Sequence, residues 1–367
     1  MTMPVNPTQH WAWAAPLAAI VLFGAGVALP SHPLLALLLF VGLLGAVIAG
    51  VHHAEVVAHR VGEPFGTLIL ALAITVIEAS LIVSLMLAGG EASSELARNT
   101  LFATIMIICN GLVGLCLLVG ATRYGEQEFR VQGASAAFSV LIALAVMTLV
   151  LPVFTTSTPG ATFSAPQLVF AGLSSLVLYA MFVFVQTVKH RDYFLPPVVP
   201  SGQGAASIEE HAAPPSTRTA AVSFALLLVC LVAVVGIAKL LAPTVERGVV
   251  AANAPHTVIG IVIALLVLLP ETWAAFRAAR ADRLQTSFNL AYGSALASIS
   301  LTIPVVVCVS LLLRLPLVLG VSSKELVLLA LTFVVSILTL ATGRTNVLQG
   351  TVHLVIFAAF LFLSLFP

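Results

Sequence analysis

Ile74–Ser84 reads ITVIEASLIVS, and its single carboxylate, Glu78, sits in a run from Pro64 to Ala88 that holds no other charge. A charge at that depth of hydrocarbon is expensive and seldom incidental. The second half of the chain repeats the situation: Val267–Trp273, VLLPETW, carries Glu271 after another long apolar approach. Two isolated glutamates, one in each half, are what the rest of the sequence has to explain.

Outward from them, runs of about 20 apolar residues, enough to cross a bilayer as a helix, fall at Trp11–Leu29, Pro33–Val51, Pro64–Ala88, Thr100–Gly120, Ala134–Leu151 and Gln167–Val188. They resume at Ala220–Leu241, His256–Ala278, Ser287–Leu313, Glu325–Ala341 and Val347–Phe366. These eleven runs are continuous, whereas a membrane barrel needs alternating segments of about ten residues. Composition agrees: the 367 residues have a mean hydropathy of +1.14 and are 8% charged, against roughly 25% in soluble domains. The sequence therefore predicts an all-α polytopic membrane protein with eleven transmembrane helices.

Cys109, Cys116, Cys230 and Cys308 lie inside apolar runs without metal-ligand spacing, so they read as small buried side chains. The opening MTMPVNPTQHWAW lacks the basic start of a secretory leader, and Trp11 and Trp13 read as interfacial anchors. Ten of the Lys and Arg residues fall on the side of the N-terminus and the even-numbered connections: Arg60, Arg123, Arg130, Lys189, Arg191, Arg218, Arg277, Arg280, Arg283 and Arg344. Five fall on the other side: Arg98, Lys239, Arg247, Arg314 and Lys324. The excess predicts a cytoplasmic N-terminus and an external C-terminus.

Superposing the glutamates exposes a repeat. PFGTLILALAITVIE precedes Glu78 and PHTVIGIVIALLVLLPE precedes Glu271, and each is followed by a charged connection and a helix of small and polar residues. Glu55 and Glu246 stand upstream at comparable distances. The organisation predicted is residues 1–32 with the first helix, a first five-helix repeat over 33–188, a cytoplasmic linker over 189–219 and a second repeat over 220–367. The linker is rich in Pro, Gly, Ser and Ala, as mobile connectors are; its Glu209, Glu210 and His211 read as a solvated loop. An odd number of helices per repeat inverts the second copy, and inverted repeats around a polar midplane site are a transporter architecture.

Desolvation favours the protonated form of a carboxyl, and a neighbouring carboxylate adds to the effect. A pair of such groups holds either protons or a cation, and that competition is the physical basis of antiport. Further oxygens are needed, since Ca²⁺ takes six to eight. Pro270 has no N–H and so frees the carbonyl of Leu266, either as a ligand or as a simple kink. Asn110 brings an amide on the helix after Glu78, and Thr75 precedes Glu78 by three residues, on its face. Ser287, Ser294 and Ser298 recur on one helix face, a pattern that commonly serves packing. His52, Glu55 and His59 also share a face; they read as interfacial, with zinc a weaker option, and Glu55 and Glu246 are candidate proton access points.

HAEVVAHRVGEPFGTLILALAITVIEASLIVSLML and PHTVIGIVIALLVLLPETWAAFRAARADRLQTSFNLAYGSALASISLTIP resemble the two α-repeats of the calcium/cation antiporter superfamily, most closely its bacterial calcium/proton and sodium/proton antiporter branch. The resemblance implies that Glu78 and Glu271 coordinate the transported cation, with Asn110 and Ser298 near the site and Glu55 at the matching acidic position of the second helix. It also implies a bacterial inner membrane. Where the superfamily has Gly-Asn ahead of each glutamate, this chain has Ile74 and Thr75, and Val267 and Leu268, which leaves room for Na⁺ or K⁺ beside Ca²⁺.

The reading is a secondary antiporter exporting Ca²⁺, with Na⁺ or K⁺ as further cargo, in exchange for protons. Its partners are those ions and the lipid bilayer, without nucleic acid or cofactor and with oligomeric state left open. No G-x-x-x-x-G-K-[ST] phosphate loop is present, so the driving force is an ion gradient. The competing readings are a passive cation channel and a membrane-embedded metallohydrolase built on His52, Glu55 and His59.

Overall fold

The structure, a computed structural model, describes residues 10–29, 32–62, 65–88, 94–195, 215–251, 255 and 257–366. Among these residues there are eleven long helices: α1 (His10–Ala28), α2 (Pro33–Val61), α3 (Phe65–Ala88), α4 (Leu96–Tyr124), α5 (Val131–Phe154), α6 (Ala165–Lys189), α7 (Thr217–Ala251), α8 (Thr257–Arg280), α9 (Leu284–Leu313), α10 (Ser323–Ala341) and α11 (Val347–Leu365). Ten are long and apolar enough to span a bilayer, and α3 is apolar over its described Leu72–Leu87. The only β-type pairing among the described residues is an isolated bridge between Glu128 and Arg344.

The helices follow the predicted runs, but several extend further. The helix α2 continues ten residues past Val51 to Val61, so His52, Glu55 and His59 are helical, and α7 passes Leu241 and Pro243 to reach Ala251. Hydropathy marks the hydrocarbon, whereas a helix ends where its last carbonyls find other partners. In α2 that point is Gly62, at φ 79°, whose N–H bonds the carbonyl of Ala58. Starts are equally local: Ser164 with Gln167, Ser322 with Glu325 and Asn346 with Gln349 form capping boxes ahead of α6, α10 and α11.

The chain forms two compact units, Met1–Ala88 with Val198–Gly248 and Gly89–Pro197 with Val249–Pro367. Each draws on both halves of the sequence. In the first unit α2 packs on α1 and α3, and α7 meets α1 and α2 through Gly236 against Phe23 and Gly42 against Ile237. In the second, α4 is the most enclosed helix, with 78% of its apolar window buried, and it packs against α8 and α11. The helix α9 lies against α5, α6 and α8.

The connections of the second unit segregate to two ends. The loop after α4 binds the loops after α8 and α10: Gln127 Nε2 donates to Asp282 at 2.7 Å, and Thr345 N donates to the carbonyl of Gln127 at 3.1 Å. The segment after α6 joins them, since Asn289 Nδ2, near the start of α9, donates to the carbonyl of Phe194 at 2.6 Å. At the opposite end Val318 N bonds Ser94 O at 2.9 Å and Gly320 N bonds Ala161 O at 3.0 Å, tying the odd-numbered connections together. Even and odd loops thus occupy opposite ends, as alternating membrane crossings require.

Candidate functional site

In the first unit, Glu78 lies on an α3 stretch free of Pro and Gly, and only 2% of the residue is exposed. Ile82 and Leu81, four and three positions on, are buried with it, while Leu72, Val76 and Leu87 are exposed on the outer side. The carboxylate therefore points with the packed face of the helix and away from the lipid-facing one. Thr75 is buried as well, and neither residue is without an interaction partner.

Other polar positions of this unit divide differently. Glu55 and His59 are exposed on α2, and His52 is half-buried with its ring 5.2 Å from that of Trp11. His53, on the neighbouring face, donates from Nε2 to the carbonyl of Ala12 at 2.8 Å and so ties α2 to α1. The grouping of His52, Glu55 and His59 is not brought together as a metal centre; no cluster of three His, Cys, Asp or Glu that would hold a metal occurs among the described residues. Glu246 lies on α7 with its side chain outside the described residues, and linker residues Glu209, Glu210 and His211 fall outside the described residues altogether.

In the second unit, Glu271 follows Pro270 on α8, which continues as a helix through the proline. Both of its carboxylate oxygens are buried. Leu266, one turn earlier, is buried, and its carbonyl has lost the N–H that residue 270 would ordinarily supply. Two helices packed on α8 carry the remaining candidates: α4 brings Asn110 and α9 brings Ser298, both buried. Glu271, Leu266, Asn110 and Ser298 thus belong to helices of one packed unit, and Glu78 and Thr75 belong to the other.

Asn110 sits in a π-helical turn, Ile107–Leu112. Such turns interrupt the regular backbone ladder and are frequent at functional sites. Its amide Nδ2 donates to Thr332 Oγ1 on α10 at 2.9 Å, and its Oδ1 lies 3.2 Å from His353 Nδ1 on α11. His353 Nε2 in turn lies 3.1 Å from Thr339 Oγ1. These partners escape a reading centred on carboxylates, although two signals mark them. Thr332, Ser336 and Thr339 form a polar stripe at i, i+4 and i+7 of an apolar helix, and His353 is a lone ionisable residue within a membrane span.

The sequence profile of the family described as "Sodium/calcium exchanger protein" matches residues 31–188 and 222–366. The chain is 47% identical over 364 residues to y4hA of Sinorhizobium fredii, named as an ionic transporter, covering 97% of this chain and 96% of that one. It is 36% identical over 347 residues to the sodium-potassium/proton antiporter ChaA of Escherichia coli, covering 94% and 93%. Among solved structures, native YfkE aligns with a TM-score of 0.71 at 19% identity over 97% of this chain and 99% of that one. The H⁺/Ca²⁺ exchanger CAX aligns with a TM-score of 0.69 at 14% identity over 96% and 87%. At these identities the structures share the fold. The relatives are transporters, which removes the metallohydrolase alternative.

Proposed function

The chain belongs to the sodium/calcium exchanger protein family, and from that premise we propose that it is a secondary antiporter exporting Ca²⁺, with Na⁺ or K⁺ as further cargo, in exchange for protons. The observation that carries the reading is the pair of carboxylates, Glu78 on α3 and Glu271 on α8, each enclosed within an apolar helix of a multi-pass membrane protein. Uncompensated, such charges are costly; a bound cation or a proton removes the cost, and alternation between the two couples their fluxes. Asn110, Ser298, Thr75 and the Leu266 carbonyl would supply neutral oxygens, and Glu55 and Glu246 would pass protons at opposite faces.

The two sequence halves, 33–188 and 220–367, would be inverted repeats joined by the 189–219 linker, exposing the site alternately to each side. The end of the second unit with the even-numbered loops carries Arg123, Arg130, Arg277, Arg280, Arg283 and Arg344, and would be cytoplasmic in a bacterial inner membrane. Similarity to a sodium-potassium/proton antiporter across nearly the whole chain supports proton coupling and monovalent cargo. The test is flux in proteoliposomes with Ca²⁺, Na⁺ and K⁺ in turn across a pH range. Exchange strictly dependent on an opposing pH gradient is expected; cation flux indifferent to protons would instead identify a channel.

A further inference from the structure

We infer that His353 is a positioning residue for the transported cation: together with Thr332 it clamps the amide of Asn110 so that oxygen, and not the NH₂ group, remains available as a ligand. The inference rests on Asn110 belonging to the cation site. Its starting point is a chain of hydrogen bonds across three helices, Thr332 and Thr339 on α10, Asn110 on α4 and His353 on α11, all of them buried.

The direction of each bond follows from donor accounting. The Thr332 hydroxyl donates to the carbonyl of Leu328 at 2.7 Å and accepts from Asn110 Nδ2 at 2.9 Å. Nδ2 also faces Met106 Sδ at 3.8 Å, a weak acceptor. The amide nitrogen is thereby assigned to the α10 side and Oδ1 to His353. An amide oxygen only accepts, so His353 Nδ1 must carry the hydrogen. In the neutral ring Nε2 then accepts, and Thr339 Oγ1, 3.1 Å away, donates to it. The His353 ring also bonds the backbone of Cys109, one residue before Asn110, and the Thr332 hydroxyl lies 3.5 Å from Met106 Sδ; a buried network with this many partners fixes its members' rotamers.

That fixing has a chemical consequence. Turning the Asn110 amide by half a turn exchanges an acceptor for two N–H donors, which repel a cation. With Thr332 accepting on one side and His353 donating on the other, the turned amide would fit only if the Thr332 hydroxyl gave up the Leu328 carbonyl and the His353 ring changed tautomer, which would make Thr339 an acceptor. An amide oxygen has two lone pairs, and His353 engages one, leaving the other. The reach of His353 depends on close backbone approach between α4 and α11. A Cβ at Gly114 would lie 2.8 Å from His353 Cβ, and one at Gly350 would lie 2.5 Å from Leu118 N.

The variants His353→Leu, His353→Asn and Thr332→Val distinguish this role from simple packing. The His353→Leu side chain is close to histidine in volume but has no donor, whereas the smaller Asn of His353→Asn keeps a donor near the Nδ1 position. Flux in proteoliposomes is measured with Ca²⁺, Na⁺ and K⁺ in turn, alongside thermal unfolding. Loss of an outer partner of a metal ligand typically costs 10–100-fold, so His353→Leu is expected to raise the cation KM about tenfold while the maximal rate stays within about threefold. His353→Asn is expected to recover most of the KM while unfolding at a temperature close to that of His353→Leu.

An unchanged KM in His353→Leu, or a His353→Asn variant as impaired as His353→Leu, would overturn the inference. Should His353→Leu not insert, Thr332→Val, nearly isosteric, tests the other jaw of the clamp, and a wild-type KM there overturns it equally. Exchange persisting in Glu271→Gln would instead overturn the cation-site reading itself. A dead Glu271→Gln beside a wild-type KM in His353→Leu would remove only the positioning role.

Discussion

The two compact units hold their helices together in different ways. In the first, glycines meet the tips of side chains: a Cβ at Gly26 would lie 2.7 Å from Leu240 Cδ1, and one at Gly50 would lie 3.1 Å from Ile77 Cδ1. In the second, two glycines meet backbone directly: Gly260 would place a Cβ 2.8 Å from the carbonyl carbon of Asn99, and Gly350 would place one 2.5 Å from Leu118 N, while Gly111 still meets a side chain, the ring of Phe357. Side-chain tips can move by a fraction of an ångström, whereas backbone held in a helix moves only with its whole helix. The helix of Glu271 thus meets α4 backbone at Gly260, while the glycine contacts cited for the unit of Glu78 are to side-chain ends that can yield.

The strongest probe of that contrast is to neutralise each carboxylate in turn. Glu78→Gln and Glu271→Gln are both expected to lower proton-coupled exchange at least a hundredfold, on the scale of the ~3 kcal/mol that follows from removing one partner of a buried charge interaction. Proteoliposome flux, with insertion checked by membrane fractionation, measures it. Equal losses would mean that the two sites contribute alike despite their different surroundings. Wild-type exchange in either variant would remove that residue from the site.

The packing contrast itself predicts opposite signs for the same substitution. Gly→Ala in a helix gains up to about 1 kcal/mol from backbone propensity. At Gly50 the new methyl meets Ile77 Cδ1 at 3.1 Å, which yields, so Gly50→Ala should leave thermal stability unchanged or slightly raised. At Gly350 it meets backbone atoms of α4 from Leu118 and Gly114; overpacking of this kind costs about 1–3 kcal/mol. Gly350→Ala should therefore lower the unfolding temperature of the purified protein. Equal tolerance at the two positions would break the distinction between the units.

Pro270 offers a smaller and more local test, because α3 has no proline ahead of Glu78. Pro270→Ala restores an N–H that can bond the Leu266 carbonyl. If that carbonyl serves the cation, the variant should raise the cation KM about tenfold, equivalent to about 1.4 kcal/mol, while leaving the helix at least as stable. An unchanged KM would assign Pro270 to shaping α8 alone.

The helical framework could be read from the sequence because lipid leaves a spanning backbone few alternatives, and ITVIEAS and VLLPETW marked the two charged interruptions. The ends of helices could not be read as well. His52, Glu55 and His59 prolong α2 beyond the hydrophobic run, and a reading by hydropathy stops at Val51 although the helix runs on to the basic last turn and Gly62. The neighbours of Asn110 were less accessible still, since its bonds reach 222 residues to Thr332 and 243 to His353. No local pattern specifies such a pairing; it follows from how α4, α10 and α11 pack. The same holds for the compact units, whose members come from both sequence halves.

The finest comparison concerns the position three residues before each glutamate, Thr75 on α3 and Leu268 on α8, both buried. On a helix that position shares a face with the carboxylate, so an amide there would add an oxygen on the carboxylate's own side. Ca²⁺ takes more oxygen ligands than the two carboxylates provide, and an additional amide should favour it over Na⁺ and K⁺. Thr75→Asn is expected to shift the Ca²⁺ to Na⁺ preference severalfold, about 1 kcal/mol, the worth of one polar contact. Leu268→Asn should act in the same direction, though the backbone contact of α8 with α4 gives its polar side chain less room to settle than the yielding side-chain contacts around α3 give Thr75→Asn. Competition flux with both cations reads the ratio directly. A shift from Thr75→Asn with none from Leu268→Asn would tie cation selectivity to the unit of Glu78, and the reverse would tie it to that of Glu271.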